Sequence, residues 1–244
     1  MFGKVLTSLG IGGATVDAVL EDDRVEVGGT LKAEIRVKGG TTAQEIRSAR
    51  LELVTHCLVE GPGGAKAHGD IVLVSGEVAI GQVAPGEELA IPVEMDVPAS
   101  APISIGSTRT HLRTRLDVPG AIDPKDSDLV EIVPNPTMTA VLDGIAQAGF
   151  RLVETEVEYD PRRRAPFVQE FDFRPSGFGD LGIEEVEISF APAPGGVEVL
   201  LTVDNRGGLF FGGGERAARI RIAHAEASRI DMASELRRAI DRLR

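Results

Sequence analysis

Leu31, Ala33, Ile35 and Val37 alternate with Lys32, Glu34 and Arg36, and the run stops at Gly39-Gly40. A period of two puts successive side chains on opposite faces of a strand, so one face is buried and the other is wet. The pattern recurs along the first half of the chain. Val16, Ala18 and Leu20 alternate with acids and small residues, and Val25 and Val27 lead into Gly28-Gly29. Longer runs cover Ile46–Val59, Ile71–Ile80, Leu89–Val97 and Thr108–Val118, the last alternating basic with smaller residues. Gly61-Pro62-Gly63-Gly64 and Ala84-Pro85-Gly86 punctuate them with turn-forming residues. The segment Leu116–Ile132, LDVPGAIDPKDSDLVEI, reads as a long Asp-Pro turn carrying three acids, with the last strand at Leu129–Val133. About seven or eight strands without crossover helices point to a β-sandwich.

Pro134-Asn135-Pro136 marks a junction. Met138, Val141, Leu142, Ile145 and Ala146 then take helical spacing, and Gly149 ends the run. Strand patterns resume at Arg151–Tyr159, Phe167–Phe173, Ile183–Phe190, Val197–Val203 and Arg216–Ala223. The expected organisation is a first sandwich over 1–134, a second over 135–225, and a C-terminal amphipathic helix over 226–244. Ile230, Ala233, Leu236, Ile240 and Leu243 form that helix's apolar face, with Ser228 or Asp231 as N-cap. A helix this short is marginal in water, so its stripe needs a surface, on its own chain or on a second copy, with a membrane as the alternative. Phe2, Val5, Leu6 and Leu9 suggest another short helix, closed by Gly10 and packed on the first sandwich.

The net charge of −12 disfavours nucleic acid and anionic membrane as general partners, because both are polyanions. The charge is uneven: from Arg216 onward there are eight Arg and four acids, so the remainder carries −16. No apolar run approaches a membrane span of about 20 residues. The opening MFGKVLTSLGIGG is too short and polar for a signal peptide, which gives a cytoplasmic expectation with no stable membrane insertion. A single cysteine, Cys57, sits in the apolar run Leu51–Val59 and reads as a buried, inert thiol.

Motifs of chemistry were tested against plainer readings. Asp123, Asp126 and Asp128 invite calcium, but counting from Asp123 puts Asp128 at position six and Pro134 at twelve, where an EF-hand loop needs Gly and Glu. The plain reading is a turn whose Asp side chains bond nearby backbone N–H groups. A third reading pairs one of these acids with an Arg between the domains, and Arg174 is the candidate. His56, His68, His111 and His224 are scattered and form no HExxH. Gly61–Gly64 and Gly207–Gly214 lack GxxxxGK[ST] and precede strands, so they read as hairpin tips. There is no GxSxG. Arg162, Arg163 and Arg164 form a basic cluster after Tyr159-Asp160-Pro161: a solvated tip, or a contact for an acidic or phosphorylated peptide. No catalytic residue, metal ligand or cofactor is assigned.

GTTAQEIRSARLELVT at Gly40–Thr55, LDVPGAIDPKDSDLVEIVPNP at Leu116–Pro136, VLDGIAQAGFRL at Val141–Leu152 and QEFDFRP at Gln169–Pro175 together resemble the bacterial sporulation-control proteins of the arrestin-like clan. The helical opening with Gly10–Gly12 and RGGLFFGGG at Arg206–Gly214 add to the likeness, whereas the tail beyond Ala223 departs from it. The resemblance implies an all-β fold of two arrestin-like β-sandwiches with short peripheral helices. It also implies a non-enzymatic cytoplasmic regulatory adaptor or scaffold acting through protein partners, a homodimer among them. The alternative is a small-ligand binder or hydrolase with a site in the inter-domain groove.

Overall fold

A computed structural model describes residues 12–60, 66–163, 165–177, 182–205 and 215–244. The expected opening helix, the Gly61–Gly64 turn, Arg164 and RGGLFFGGG lie outside the described residues. In chain order the strands are β1 (Thr15–Leu20), β2 (Arg24–Glu26), β3 (Thr30–Lys38), β4 (Gln44–Glu60), β5 (Lys66–Val83), β6 (Glu88–Asp96), β7 (Thr110–Asp117) and β8 (Lys125–Val133). Helix α1 (Pro136–Gln147) follows, then β9 (Phe150–Tyr159), β10 (Phe167–Pro175), β11 (Ile183–Ala193), β12 (Gly196–Asn205), β13 (Glu215–Ala223) and helix α2 (Met232–Leu243).

The chain divides into two compact units. The first takes the residues up to His56, Asp70–Ala101 and Arg109–Val133; the second takes Cys57–Gly69, Pro102–Thr108 and Pro134–Arg244. A single cut at residue 134 therefore describes the division incompletely, because β4 and β5 each run from one unit into the other.

In the first unit β1, β3 and β6 form an antiparallel sheet in the order β1-β3-β6. β4, β7 and β8 form an antiparallel set, with β2 parallel on β8 and β5 on the other edge of β4. Alternation fills the space between them. Ile35, Leu51, Leu53, Leu112, Leu116, Val130 and Ile132 are all buried. The register corrects the reading of the acidic segment. Lys125–Val130 lies opposite Arg115–Thr110, so β8 starts at Lys125 and only Asp123 stays in the turn. Asp126 and Asp128 share a face of β8 with the buried Val130 and Ile132. The segment can be a strand because its first acid has a job there: Ala18 N–H donates to Asp126 Oδ2 at 2.8 Å.

In the second unit β9 to β13 form an antiparallel meander, and Leu58 at the end of β4 pairs in parallel with Glu158 of β9. Its inner face carries Phe171, Phe173, Val186, Ile188, Val199, Leu201 and Val203, all buried. Helix α1 starts where Asn135 Oδ1 accepts the Met138 N–H at 2.9 Å and Pro136 occupies the first turn. It stops at Gly149, whose φ of +98° suits glycine.

Helix α2 starts at Asp231, which accepts the Ser234 N–H at 3.1 Å. It packs on α1: a Cβ added at Gly144 would come within 2.7 Å of Met232 Cγ. Arg237 holds its guanidinium 5.8 Å from the centre of the Phe150 ring. The buried face is Met232, Leu236 and Ile240, while Leu243 is half-buried. Ile230 is a correction to the expected face: it precedes the cap and is 38% exposed.

Candidate functional site

Neighbouring strands of an antiparallel sheet place directly opposed residues on the same face. On the outer face of β4, β7 and β8 this rule assembles two rows. Arg50 is opposite Arg115, and Arg115 is opposite Lys125. One step along, Glu52 is opposite Arg113, and Arg113 is opposite Ser127. Together these side chains line a cleft of about 840 Å³. Arg50 Nε lies 2.8 Å from Glu52 Oε1. Arg113 Nη1 lies 2.6 Å from Asp70 Oδ2. Arg115 reaches Asp123 only at 3.9 Å, and Lys125 makes no ion pair among the described residues.

Next to the cleft, His56 Nδ1 lies 2.6 Å from the other oxygen of Asp70. His111 meets the His56 ring edge-on at 6.4 Å between centroids. Burial alone would raise the Asp70 carboxyl, but Arg113 and then His56 outweigh it and hold the pKa below the usual range. Burial lowers the His111 pKa, and the positive charges of His56 and Arg113 lower it further. Asp70 thus serves as a hinge of charge between a histidine and an arginine. This His56–Asp70–Arg113–His111 group was invisible in sequence, because its members are spread from position 56 to 113 and only strand pairing joins them. Among the described residues, no group of three or more His, Cys, Asp or Glu is arranged to hold a metal ion.

The three aspartates separate. Asp123 Oδ1 accepts the Val118 N–H at 3.2 Å inside its own turn. Asp126 bonds Ala18 as above. Asp128 Oδ2 is buried without a donor among the described residues. Burial, then a hydrogen bond with Asp126 and the charges of Asp126 and Asp17, push the Asp128 pKa up to about 6. Arg174 Nη2 lies 3.2 Å from Glu185 Oε2 on the adjacent strand β11. Arg162 and Arg163 sit at the β9–β10 tip and fold back on Asp160, at 3.0 and 3.4 Å. They hold that carboxyl below its usual range, although Arg162 is still 89% exposed.

In QEFDFRP the residues divide their work. Gln169 clamps the loop Pro102–Thr108: the Ile103 N–H donates to Oε1 at 2.8 Å, while Nε2 donates to the Ile103 carbonyl at 2.9 Å and to Thr108 Oγ1 at 3.1 Å. Phe171 packs edge-on against Phe190 at 5.5 Å between centroids. Glu170 and Asp172 point to the other face, where Glu156 and Glu154 oppose them from β9. Burial first, then Glu187, Glu158 and Asp172, push Glu170 up to about 7. Burial, then Glu185, Glu154 and Glu156, push Asp172 to about 6.

Residues 2–207 match the family described as SpoOM protein. The chain belongs to that family. It is 35% identical over 238 residues to the sporulation-control protein Spo0M of Bacillus subtilis (strain 168), across 92% of this chain and 91% of the relative. It also matches the crystal structure of Bacillus subtilis Spo0M, with a TM-score of 0.86 at 31% identity, covering 96% of this chain and all of that one. The resemblance drawn from the sequence motifs therefore holds, and so does the all-β fold class with short peripheral helices. No helix among the described residues is long and apolar enough to cross a membrane.

Proposed function

We propose that the chain is a regulatory adaptor of the sporulation-control kind, acting in the cytoplasm by binding protein partners rather than by catalysis. The observation that carries this reading is the likeness to a sporulation-control protein along nearly the whole chain. The charged groups support it. His56, Asp70 and Arg113 are engaged with one another on the sheet face. Arg162 and Arg163, held at a hairpin tip, fit a contact for an acidic partner. A second copy of the chain is one such partner.

The test is affinity capture of the full chain from its native cell after mild cross-linking, with nuclease added, alongside light scattering of the pure protein. A reproducible set of captured proteins, or a concentration-dependent dimer, is the expected result. A preparation that captures nothing above a control and instead turns over a small substrate overturns the adaptor reading.

A further inference from the structure

The row Arg50–Arg115–Lys125 places three cations directly opposite one another on neighbouring strands. Like charges in that arrangement oppose sheet formation. The chain has ample acid to avoid it, at a net charge of −12. Local acids neutralise the row incompletely. Glu52 engages Arg50, but Arg115 has only a distant carboxylate and Lys125 has none among the described residues. Asp126, which borders the cleft, commits a carboxylate oxygen to the Ala18 N–H.

We propose that this cleft binds an acidic segment of a partner protein, with a carboxylate seated on Arg115 and Lys125. At about 4.8 Å between strands, the row spans about 10 Å, the width of an extended peptide with its side chains. An arginine fork accepts a carboxylate in a planar, two-point fashion, and lysine adds a point charge. The cleft does not end at the cations. Ser127 lines it, and two residues further along the same face of β8 stands Leu129, an exposed leucine (54%) opposite His111. A ligand that covers the row and then Leu129 carries acid at one end and apolar surface at the other, which a peptide does and a small anion does not. A nucleic acid or an anionic membrane would set a far larger negative surface against the chain's overall charge than a short acidic segment does.

This inference rests on the adaptor reading, and its test separates the two. The probe is a fluorescent peptide that alternates Glu and Ala at one end and carries Leu at the other, titrated at low and moderate salt. The expected result is saturable binding, weakened about tenfold by Arg115→Ala and by Lys125→Ser, weakened less by Leu129→Ser, and suppressed by salt. Lys125→Ser is the guard against misfolding, because that side chain is exposed and unpaired among the described residues. Thermal unfolding should show neither cation variant less stable than the parent. Parallel titrations use tripolyphosphate, anionic vesicles and duplex DNA. Absence of peptide binding, equal binding by the variants, preference for any of those three probes, or loss of stability on removing Arg115 overturns the proposal. If the variants still capture the parent's partners from the cell, the adaptor reading survives and this site does not.

Discussion

Gln169 does with one amide what a paired strand does with its backbone. It satisfies both the N–H and the carbonyl of Ile103, and Ile103 itself is fully buried. Removing the amide leaves the Ile103 N–H without its acceptor, while the Ile103 carbonyl keeps the Ile105 N–H at 2.8 Å. Gln169→Leu should cost about 1–3 kcal/mol in urea unfolding and should speed proteolysis within Pro102–Thr108. An unchanged midpoint would show that water serves that N–H equally well. Phe171, also fully buried, should lose about 3–5 kcal/mol on truncation to Ala, which the same titration reads. Asp126 supplies a contrast on the first unit. It bonds the Ala18 N–H of β1, a strand paired with β3 alone in its sheet. Asp126→Ala should therefore cost about 1–3 kcal/mol, and amide exchange at Ala18 should quicken selectively. Alternation in QEFDFRP announced the burial of both Phe rings. The clamp by Gln169 had no local signal, since Ile103 lies 66 residues away.

At the scale of elements, periodicity placed the strands, and register decided their meaning. The basic alternation of Thr108–Val118 was visible, but the row Arg50–Arg115–Lys125 exists only once β7 is known to lie between β4 and β8. The acids of Leu116–Ile132 suggested a turn because Asp is scarce in strands. The structure lets β8 begin earlier, since its inner acid meets a backbone donor from β1. Helix α1 was legible from its periodicity and its terminating Gly149. The same Asn135-Pro136 pair that marked the junction also starts the helix. Helix α2 was legible in kind but not in phase. Ser228 and Asp231 both suit an N-cap; Asp231 fills the role, so Ile230 falls outside and Met232 takes its place on the buried face. A pair of variants tests this phase. Leu236→Ala should cost about 2–5 kcal/mol. Ile230→Ala should stay within about 0.5 kcal/mol of the parent. Equal losses in denaturant titrations would mean that the helix packs in another rotation.

Across the molecule as a whole, the surplus of acid has a consequence that pH can read. Glu170, Asp172 and Asp128 have folded pKa values raised to about 7, 6 and 6 from ordinary values of 4.5, 3.8 and 3.8. A carboxyl with a raised folded pKa holds its proton more tightly in the folded chain than in the unfolded one. Above the folded pKa it is ionised in both states, and the folded state bears the cost of burying the charge and then of the neighbouring acids. Stability from these groups therefore rises as pH falls from about 8 to 5. The carboxyls with lowered values, Asp70, Glu88, Asp160 and Asp231, act in the opposite sense only as pH drops below their ordinary values of 3.8 to 4.5, so they leave that window clear. His111 does oppose within the window: its lowered pKa makes the unfolded chain take up the proton first below about 6.5, which favours unfolding. Glu170 can be isolated from that background by substitution. It faces Glu187, Glu158 and Asp172, and Arg163 offsets them only in part. Glu170→Gln keeps the shape and removes the charge. The variant should be more stable than the parent at pH 8, and the difference should shrink as pH falls below about 7 and reach zero only below the ordinary carboxyl value of 4.5, where the unfolded parent is protonated as well. Denaturant titrations at four pH values decide it; a difference that is constant with pH, or a variant less stable at pH 8, would mean that the Glu170 carboxylate is stabilised by its surroundings rather than strained by them.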